Sequence, residues 1–451
     1  MDCFTKLPLN FPSVKPVEVK FSSFDLSADA GLLLLRQAEE KTQVCQGLAN
    51  CLIDNREQKK VKHSLLRLLR QRIYQIAAGY EDANDSNNLR HDPIFKIVCD
   101  KIPKTGEELL ASQPTMSRWE NQITSKEIKA LRNFFIEEFI NNYKAQDKMP
   151  ERMVLDIDGW DAETHGNQQL SFFNGYYEQD MYFPVLVNEA ESGYPLLLQL
   201  RAGNSHPGKG VTGLLRWLFW RLKKALPEVE IILRADGGFA LPEILNTCER
   251  SQIKYAFGFS NNAVLKRKIN YLLDQARLQY YRTQQKSRLF DDVYYAAQTW
   301  KQPRRIIMKA EWLPLGANPR FIVTNLSGEP QELYDNFYVQ RGATSEHPIK
   351  ELKLGIKADR LSCEKFMANQ FRLFLSQAAY LLLLKIRQAA QGTQLEKAQV
   401  PRLRETVIKI VAKVSISVSQ VLVELATHCP FAREIYLIAE RLSQSSSVIF
   451  Q

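Results

Sequence analysis

The chain has 451 residues, of which 45% are hydrophobic and 24% charged, the balance of a soluble globular protein with two or three domains. Its longest uncharged apolar run, residues 378–384, is far shorter than the roughly 20 residues that a helix needs to cross a bilayer, so we expect no membrane span. Sixty basic residues against fifty acidic ones leave a net charge of +10, which favours partners that carry negative charge, nucleic acid first among them.

The cysteines and the N-terminal sequence predict the compartment. The seven cysteines are scattered and form no C-x-x-C pair, so neither a disulfide framework nor a zinc site is expected. The start of the sequence has no apolar segment behind a basic end, so we expect no secretory signal. Both features indicate a reducing compartment.

Residues 1–150 are predicted to be a helical DNA-binding region. Apolar residues recur at helical spacing over residues 61–76, and basic residues occupy the remaining faces. The basic residues are Lys59, Lys60, Lys62, Arg67, Arg70 and Arg72. They predict either a contact with phosphates or an ordinary solvated face, and the pattern does not choose between the two.

A second helix is predicted over residues 111–120, with Pro114 in its first turn. Because a helix N-terminus attracts phosphate oxygens, the polar residues clustered there make it a candidate DNA-recognition element, with Arg118 as a contact. Capping of the helix explains these polar residues equally well. A longer amphipathic helix is predicted over residues 125–143, before a domain boundary at Pro150.

From Arg152 the pattern becomes that of an α/β domain. Three strands are predicted in succession, and helices then alternate with strands. In chain order the predicted elements are strands at 152–159, 170–177 and 194–202, a helix at 210–226, a strand at 229–235, a helix at 241–250 and a strand at 253–259. This order predicts a mixed sheet of the RNase H-like kind.

The remaining residues complete the predicted domain organisation. Residues 261–326 are predicted to form a strand-rich insertion that begins with a basic helical stretch. The α/β domain of residues 151–260 resumes at 327–390, and residues 391–451 form a C-terminal region. In that region apolar and polar residues alternate over 408–418, as in a half-buried strand.

Two aspartates lie in the otherwise apolar strand MVLDIDGW. Asp156 and Asp158 are two residues apart, so their side chains share one face of the strand, opposite Leu155 and Ile157. Two carboxylates on one face are costly to bury without a cation or hydrogen bonds, so the pair predicts a metal site. An exposed edge strand is the alternative, and the apolar neighbours weaken it.

Asp236 directly follows the apolar strand predicted at 229–235 and precedes two glycines. Its carboxylate is therefore expected at the carboxyl end of a buried strand, where ligands of α/β sheets bind. An aspartate before two glycines is also an ordinary turn, and alone it would carry little weight.

Glu346 heads a predicted helical stripe with Lys350, Lys353 and Lys357. A carboxylate at the start of a line of lysines could bind a metal ion while the lysines follow a phosphate backbone. The alternative is a solvated face with salt bridges.

Residues 203–209, GNSHPGK, match the spacing of a phosphate-binding loop. The following residue is Gly210 rather than Ser or Thr, and Pro207 removes a backbone donor that such a loop needs. We therefore predict a connection between strand and helix, with Lys209 available to DNA, rather than a nucleotide site.

Seven segments together carry a family resemblance: LDIDGWDAETHGNQQ, FNGYY, LLLQLRAGNSHPGKG, ILRADGGF, RFIVTNL, YVQRGATSEHPIKELK and SCEKFMANQFRLFL. In combination they resemble the DDE transposases of bacterial insertion sequences that move by cutting and pasting. The similarity extends from about Arg90 to about Leu425.

The resemblance implies an RNase H-like catalytic domain in which Asp158, Asp236 and Glu346 hold two Mg²⁺ ions, with Mn²⁺ as a substitute. Asp156 remains the alternative first ligand. Magnesium prefers oxygen ligands, and two metal ions can stabilise both the attacking and the leaving oxygen of a phosphodiester displacement.

The family also places a Tyr, an Arg and a Lys around the Glu, and Tyr338, Arg341 and Lys353 match them. With Lys350, these residues are expected to contact DNA phosphates, while the N-terminal helices, including Arg118, read the bases. Arg341 precedes Glu346 by one residue more than is usual, which leaves open whether it reaches DNA from a shifted position.

The predicted function is a DNA transposase that binds the terminal inverted repeats of its insertion sequence, cleaves there and transfers the 3′ ends to target DNA. The resemblance implies double-stranded DNA as the partner, a homodimer on paired ends, no membrane, and the bacterial cytoplasm near the nucleoid. Two alternatives stay open, a metal-dependent nuclease of the same fold and a non-catalytic DNA-binding protein derived from a transposase.

Overall fold

The computed structural model describes residues 25–103, 109–146, 148–344 and 346–444, with backbone only at 343, 344, 346 and 347. Its strands, in chain order, are β1 Leu26–Ser27, β2 Arg152–Gly159, β3 Ala162–Glu163, β4 Phe172–Asn174, β5 Gln179–Tyr182, β6 Val185–Glu189, β7 Pro195–Gln199, β8 Glu230–Ala235, β9 Lys254–Phe259, β10 Ser287–Tyr295, β11 Arg304–Leu313, β12 Gly316–Ala317, β13 Arg320–Thr324, β14 Ala412–Ile416 and β15 Val421–Leu425.

The α-helices are, in chain order, α1 Leu32–Thr42, α2 Val44–Asn50, α3 Leu65–Ala77, α4 Ser86–Leu89, α5 Pro93–Val98, α6 Gln113–Glu120, α7 Ser125–Lys144, α8 Thr212–Ala225, α9 Pro242–Arg250, α10 Ala263–Thr283, α11 Pro330–Glu332, α12 Arg341–Thr344, α13 Glu346–Lys350, α14 Phe366–Ala389, α15 Val400–Leu403 and α16 Ala432–Ser443. Wider π-helical turns occupy Leu333–Tyr338, Glu351–Gly355 and Arg404–Ile408. Within the part of the chain that the structure describes, no helix combines the length and the apolar character needed to cross a bilayer.

The described residues group into two compact units. The helical unit comprises the described residues of 25–49, 54–118 and 382–444, and the sheet unit comprises the described residues of 50–53 and 119–381. The helical unit includes a sheet in the order β1-β14-β15.

The sheet unit is built on a mixed sheet in the order β10-β11-β13-β9-β8-β2-β6-β7. Strand β2 pairs antiparallel with β6 and parallel with β8, β6 pairs antiparallel with β7, and β8 pairs parallel with β9. The succession β7-β6-β2-β8-β9, with helices α8 and α9 in the parallel half, is the arrangement predicted for an RNase H-like core. The predicted mixed α/β fold class is confirmed.

The strands of residues 261–326 continue this same sheet. Strand β13 pairs antiparallel with β9, and β11 and β10 follow it outwards. Helix α10 buries a narrow stripe of four residues, Leu265, Ile269, Leu272 and Ala276. The segment therefore extends the sheet beyond β9 and adds one long helix.

The second strand of the core is not where the sequence pattern placed it. The prediction at 170–177 is wrong for the main sheet, because β4 pairs with β5 in a small separate sheet of order β3-β5-β4. The second core strand is β6, which is buried along its whole length. Strand β6 reads VLVNE, three apolar residues followed by two polar ones, so it lacks the alternation that marks a half-buried strand.

Two arginines of α3 point into the helical unit rather than to solvent. The helix begins at Leu65, where the Ser64 hydroxyl accepts a hydrogen bond from the Arg67 amide. Arg70 pairs with buried Glu39 at 3.0 Å, and Arg72 donates to the Glu81 carbonyl at 2.7 Å. The expectation that both arginines lie on outer faces is therefore wrong, because internal acceptors engage them.

The alternating segment at 408–418 becomes a strand later than predicted. Residues Arg404–Ile408 form a π-helical turn, and β14 begins at Ala412 and pairs antiparallel with β15. The Thr406 hydroxyl donates to the Arg402 carbonyl at 2.7 Å, which supports the helical conformation there.

A buried ion pair joins the two central strands of the core. Asp156 on β2 and Arg234 on β8 are register partners. Both carboxylate oxygens of Asp156 accept from Arg234, at 2.8 and 2.9 Å. Arg234 also donates to the Phe337 carbonyl at 2.7 Å. The pair is therefore compensated in both charge and hydrogen bonds, as a buried pair must be.

We predict that Arg234→Met destabilises the protein by about 3–5 kcal/mol, because it leaves the Asp156 carboxylate buried without its partner. The double variant Asp156→Asn with Arg234→Met should lose less than the single variant, since the charge is gone. Urea unfolding of both variants measures the difference. Equal stability of Arg234→Met and the parent would contradict the prediction.

Candidate active site

The fold brings Asp158 and Asp236 side by side. Strands β2 and β8 are parallel neighbours, and their last register pair is Ile157 with Ala235. Asp158 is the next residue of β2, and Asp236 directly follows β8, so both lie at the carboxyl ends of strands that are about 4.8 Å apart. This edge of the sheet is the expected ligand site of an α/β fold.

Asp158 is held by two hydrogen bonds. Its Oδ1 accepts from the Gly159 amide at 2.8 Å, and its Oδ2 accepts from Arg341 Nη1 at 3.0 Å. The Asp158 side chain is 20% exposed and that of Arg341 15% exposed. Burial, and next the negative charge of Asp236, raise the pKa of Asp158 to about 6 despite Arg341. The folded environment therefore disfavours the ionised form of Asp158 even with Arg341 in contact.

Asp236 is oriented by the turn that follows it. Its Oδ1 accepts from the Gly238 amide at 2.9 Å, so the carboxylate caps the short helical turn Gly237–Phe239. The ordinary-turn interpretation and the ligand interpretation thus describe the same geometry, because the turn fixes the carboxylate beside Asp158.

Tyr338 and Arg341 reach the aspartate pair from the segment after β13. The Tyr338 hydroxyl lies against the backbone of Gly258 on β9. A Cβ atom at Gly258 would lie only 2.6 Å from the hydroxyl oxygen. Burial raises the pKa of Tyr338, Arg341 acts in the opposite direction, and Asp236 raises it further. Both residues that the resemblance assigned to this region therefore lie near the two aspartates.

Glu346 is the first residue of α13, five positions after Arg341, and its side chain is outside the described part of the structure. Its role as third ligand stays a prediction. Among the described side chains, no group of three His, Cys, Asp or Glu residues is placed to share a metal ion. Two adjacent carboxylates that repel each other, with oxygen donors only, nevertheless fit a divalent cation.

The lysines after Glu346 do not form one continuous stripe. The π-helical turn Glu351–Gly355 shifts the spacing after α13, and Lys357 lies outside the helix with φ at 59°. Lys350 is exposed, whereas Lys353 Nζ donates to Asp161 Oδ1 at 2.7 Å. The predicted stripe is therefore wrong beyond Lys350. In the π-helical turn the backbone hydrogen bonds join residues five apart instead of four, so side chains at α-helical spacing no longer share one face.

Comparison with known proteins decides the family. The model of the family described as transposase DDE domain group 1 matches residues 10–447, which is nearly the whole chain. The chain belongs to this family of transposases. No curated protein matches it. A solved structure, the piggyBac transposase synaptic complex with hairpin DNA, has a TM-score of 0.43 and 9% identity over 93% of this chain and 83% of that chain. This likeness is too remote to bear on the function.

The transposase contains a second carboxylate on the same strand face, the alternative first ligand Asp156. It is fully buried, and Arg234 engages both of its oxygens, as described above. Asp158, in contrast, is partly exposed and adjoins Asp236. We keep Asp158 as the proposed ligand and assign Asp156 to the core of the sheet.

Two further residues at the site were missed by sequence reasoning. Asp161 binds Lys353 and also accepts from Gln179 Nε2 at 3.0 Å. Tyr177 lies close enough to the carboxylates for Asp161, and more weakly Asp158 and Asp236, to add to the effect of burial in raising its pKa. The sequence signal for Asp161 is its position three residues after Asp158. This spacing does not predict that its partner is Lys353.

Arg118, the predicted base-reading residue, lies on α6 with an exposed side chain. At the start of α6, the Gln113 amide donates to Asn87 Oδ1 at 3.1 Å, which ties this helix to α4. An exposed arginine on an anchored helix is compatible with a DNA contact, and the assignment stays a prediction.

We predict that Asp158→Asn raises the stability of the metal-free transposase at pH 7.5. Because the pKa of Asp158 is higher in the folded protein than in the unfolded chain, its ionisation destabilises the fold as the pH rises through about 6. Removing the charge should increase the free energy of unfolding by up to about 3 kcal/mol at pH 7.5 and by less at pH 4.5.

Thermal unfolding at both pH values measures this gain. Asp274→Asn, on the exposed side of α10, removes the same charge away from the site and serves as the matched control. A variant at 158 that is less stable than the parent at pH 7.5 would contradict the prediction.

Proposed function

We propose that this transposase binds the terminal inverted repeats of its own insertion sequence, cleaves phosphodiester bonds at those ends and joins the 3′ ends to target DNA. The observation that carries the proposal is the adjacency of Asp158 and Asp236 at the carboxyl ends of β2 and β8. Family membership supports it, since the match extends over residues 10–447.

The proposed metal ligands are Asp158, Asp236 and Glu346. Two Mg²⁺ ions, or Mn²⁺ in their place, supply when bound the electrostatic stabilisation of the attacking and leaving oxygens. The raised pKa of Asp158 supports this assignment, because a divalent cation would offset the burial and the charge of Asp236 that disfavour the ionised carboxylate.

Arg341 is the proposed positioning residue. Its Nη1 donates to Asp158 Oδ2 at 3.0 Å, which fixes the rotamer of that carboxylate. Arg341 is mostly buried, so its charge acts in a poorly solvated setting. Tyr338, between Gly258 and Arg341, limits the space on the β9 side of the pair.

Phosphate contacts are proposed for Lys350 and Lys353, with Tyr338 and Arg341 at the cleavage point. Lys350 is exposed and free to reach a strand, while Lys353 would exchange Asp161 for a phosphate oxygen. The net charge of +10 supports a double-stranded DNA partner, and affinity carried by phosphates falls steeply with salt.

Base recognition is proposed for the helical unit, with Arg118 as one contact, because phosphate contacts alone do not carry sequence information. Two ends must be held together for joining, so we propose a homodimer that binds one end per protomer. The proposed setting is the cytoplasm of a bacterium, with access to the nucleoid.

A cleavage and joining assay tests the proposal. The substrate is labelled duplex DNA carrying an inverted repeat from the flank of the coding region, incubated with the full chain and Mg²⁺. We expect Asp158→Asn, Asp236→Asn and Glu346→Gln to bind the DNA as the parent does and to lose cleavage by roughly a hundredfold or more. Asp274→Asn should cut normally.

Each outcome separates the candidates. Cleavage by the parent without joining of the 3′ ends would favour a nuclease of the same fold, and binding without cleavage would favour a non-catalytic DNA-binding protein. Normal cleavage by any of the three acid variants would remove that residue from the ligand set. Unchanged cleavage in the presence of EDTA would contradict the metal assignment.

A further inference from the structure

The outer strand of the small sheet in the helical unit exposes apolar side chains on both of its faces. In the sheet order β1-β14-β15, strand β15 is at the edge, so one side of its backbone has no neighbouring strand among the described residues. Val421 and Leu425 are each 42% exposed on one face, and Leu422 is 47% exposed on the other. Apolar residues on an unpaired edge indicate a contact with another chain.

Strand β15 lacks the features with which sheets usually protect their edges. Proline, charged residues or a covering helix discourage a further strand from pairing. Strand β7, at one edge of the main sheet, begins at Pro195 and packs against helix α7, and β10, at the other edge, contains Asp291 and Asp292. The sequence of β15, VLVEL, contains neither proline nor lysine, and its one charge is at Glu424. This edge is therefore open to strand addition.

The free side of β15 offers the hydrogen-bonding groups of its odd-numbered residues. The Val414 amide donates to the Asp25 carbonyl at 2.7 Å, on the side of β14 that faces β1. Val414 and its register partner Val423 therefore form a pair without mutual hydrogen bonds. Because bonded and non-bonded pairs alternate along an antiparallel ladder, Val421 and Leu425 resemble Val423. All of these β15 residues direct their N–H and C=O groups away from β14.

A second copy of β15 matches this edge. In two antiparallel copies related by a two-fold axis through Val423, each Val423 lies opposite its counterpart and Val421 lies opposite Leu425. The outward N–H and C=O groups then all face one another. Leu422 lies opposite Glu424, so no like charges meet. An axis through Glu424 would place two carboxylates opposite each other, and one through Leu422 would leave Leu425 opposite the turn.

The same pairing continues an apolar face of the sheet. Val421, Val423 and Leu425 share a face with their register partners on β14, among which Ala412 and Val414 are buried. This face is therefore covered at β14 and partly uncovered at β15. A two-fold axis perpendicular to the sheet keeps the apolar faces of both copies on the same side. The exposed side chains of each copy can then pack against those of the other.

We propose that two copies of this transposase associate through β15, by antiparallel strand pairing centred on Val423. A second copy is the favoured occupant because the two-fold axis matches hydrogen-bonding groups and apolar side chains without opposing like charges. A partner of opposite charge finds little to recognise, since the only charge of the edge, Glu424, lies beside its register partner Lys413. The inference goes beyond the proposed function, because neither DNA nor a metal ion takes part.

The size of the contact sets its expected strength. One strand from each copy, with the side chains beside it, is a contact at the small end of specific protein interfaces. We therefore expect a dissociation constant in roughly the micromolar range. Sedimentation equilibrium of the full chain over a series of concentrations, without DNA and without divalent metal, measures it.

Two double variants test the register of the pairing. Val421→Lys with Leu425→Glu places opposite charges at both positions that the axis brings together, and it should retain the dimer. Val421→Lys with Leu425→Lys places like charges there, and its dissociation constant should be roughly a hundredfold higher than that of the first variant. Both variants remove the same two exposed side chains and differ only in the sign of the charge at position 425. A general loss of surface hydrophobicity therefore cannot explain a difference between them.

Val418→Lys is the matched control. Val418 is fully exposed at the tip of the turn between β14 and β15, outside the residues that the axis pairs. The substitution exchanges an exposed valine for a lysine in the same hairpin, so this variant should associate as the parent does. Circular dichroism of each variant checks that it is folded.

The outcomes separate the contact from the proposed function. A parent that is monomeric at every concentration, or that dimerises only after repeat DNA is added, would overturn the β15 contact and leave the proposed function intact. Equal association of the two folded double variants, or weakening by Val418→Lys, would also overturn it. A parent that dimerises as expected and never cuts DNA in Mg²⁺ would reject the proposed function and leave the contact standing.

Discussion

Electrostatic repulsion between two carboxylates at the ends of neighbouring parallel strands is the constraint on which the rest of the sheet unit depends. Asp158 and Asp236 can adjoin only because the strands beneath them are locked, and the buried pair of Asp156 with Arg234 does this two residues earlier. Asp156 is compensated by Arg234 at both of its oxygens, whereas at Asp158 burial and the charge of Asp236 outweigh the contact with Arg341 and raise the pKa. That contrast supports the cation site that we propose at the sheet edge.

The surroundings of the carboxylates come from distant parts of the chain. In chain order, Tyr338 and Arg341 follow the strands β10 to β13, whereas the hairpin of β4 and β5 and the loop at 203–209 precede β8. Each is fixed by contacts to backbone atoms, as at Gly258 and Gly203. Such contacts hold their position when surface side chains change, which suits a site that must position a large polymeric substrate.

The sequence predicted the fold class from strand periodicity and from the chain order of strands and helices, which are local signals. The pairing of Asp158 with Asp236 came from the family resemblance and not from periodicity. The sequence pattern failed for β6, where a fully buried strand has no alternation, and for Arg70, whose partner Glu39 is remote in the chain. It also failed after Lys350, since a π-helical turn leaves no periodic trace. Partners that meet only through tertiary structure lie beyond pattern analysis.

The loop of residues 203–209 has a mechanical consequence. One end of the loop packs on the hairpin of β4 and β5, and the other end packs on the turn that Asp236 caps. The length of the loop therefore sets the distance between the hairpin and this turn. Arg201 donates to three of its carbonyl oxygens, at His206, Pro207 and Lys209, and keeps it from stretching. Surface loops normally tolerate insertions. This loop acts as a spacer, and lengthening it by even one residue would shift the carboxylate of Asp236 relative to the hairpin of β4 and β5.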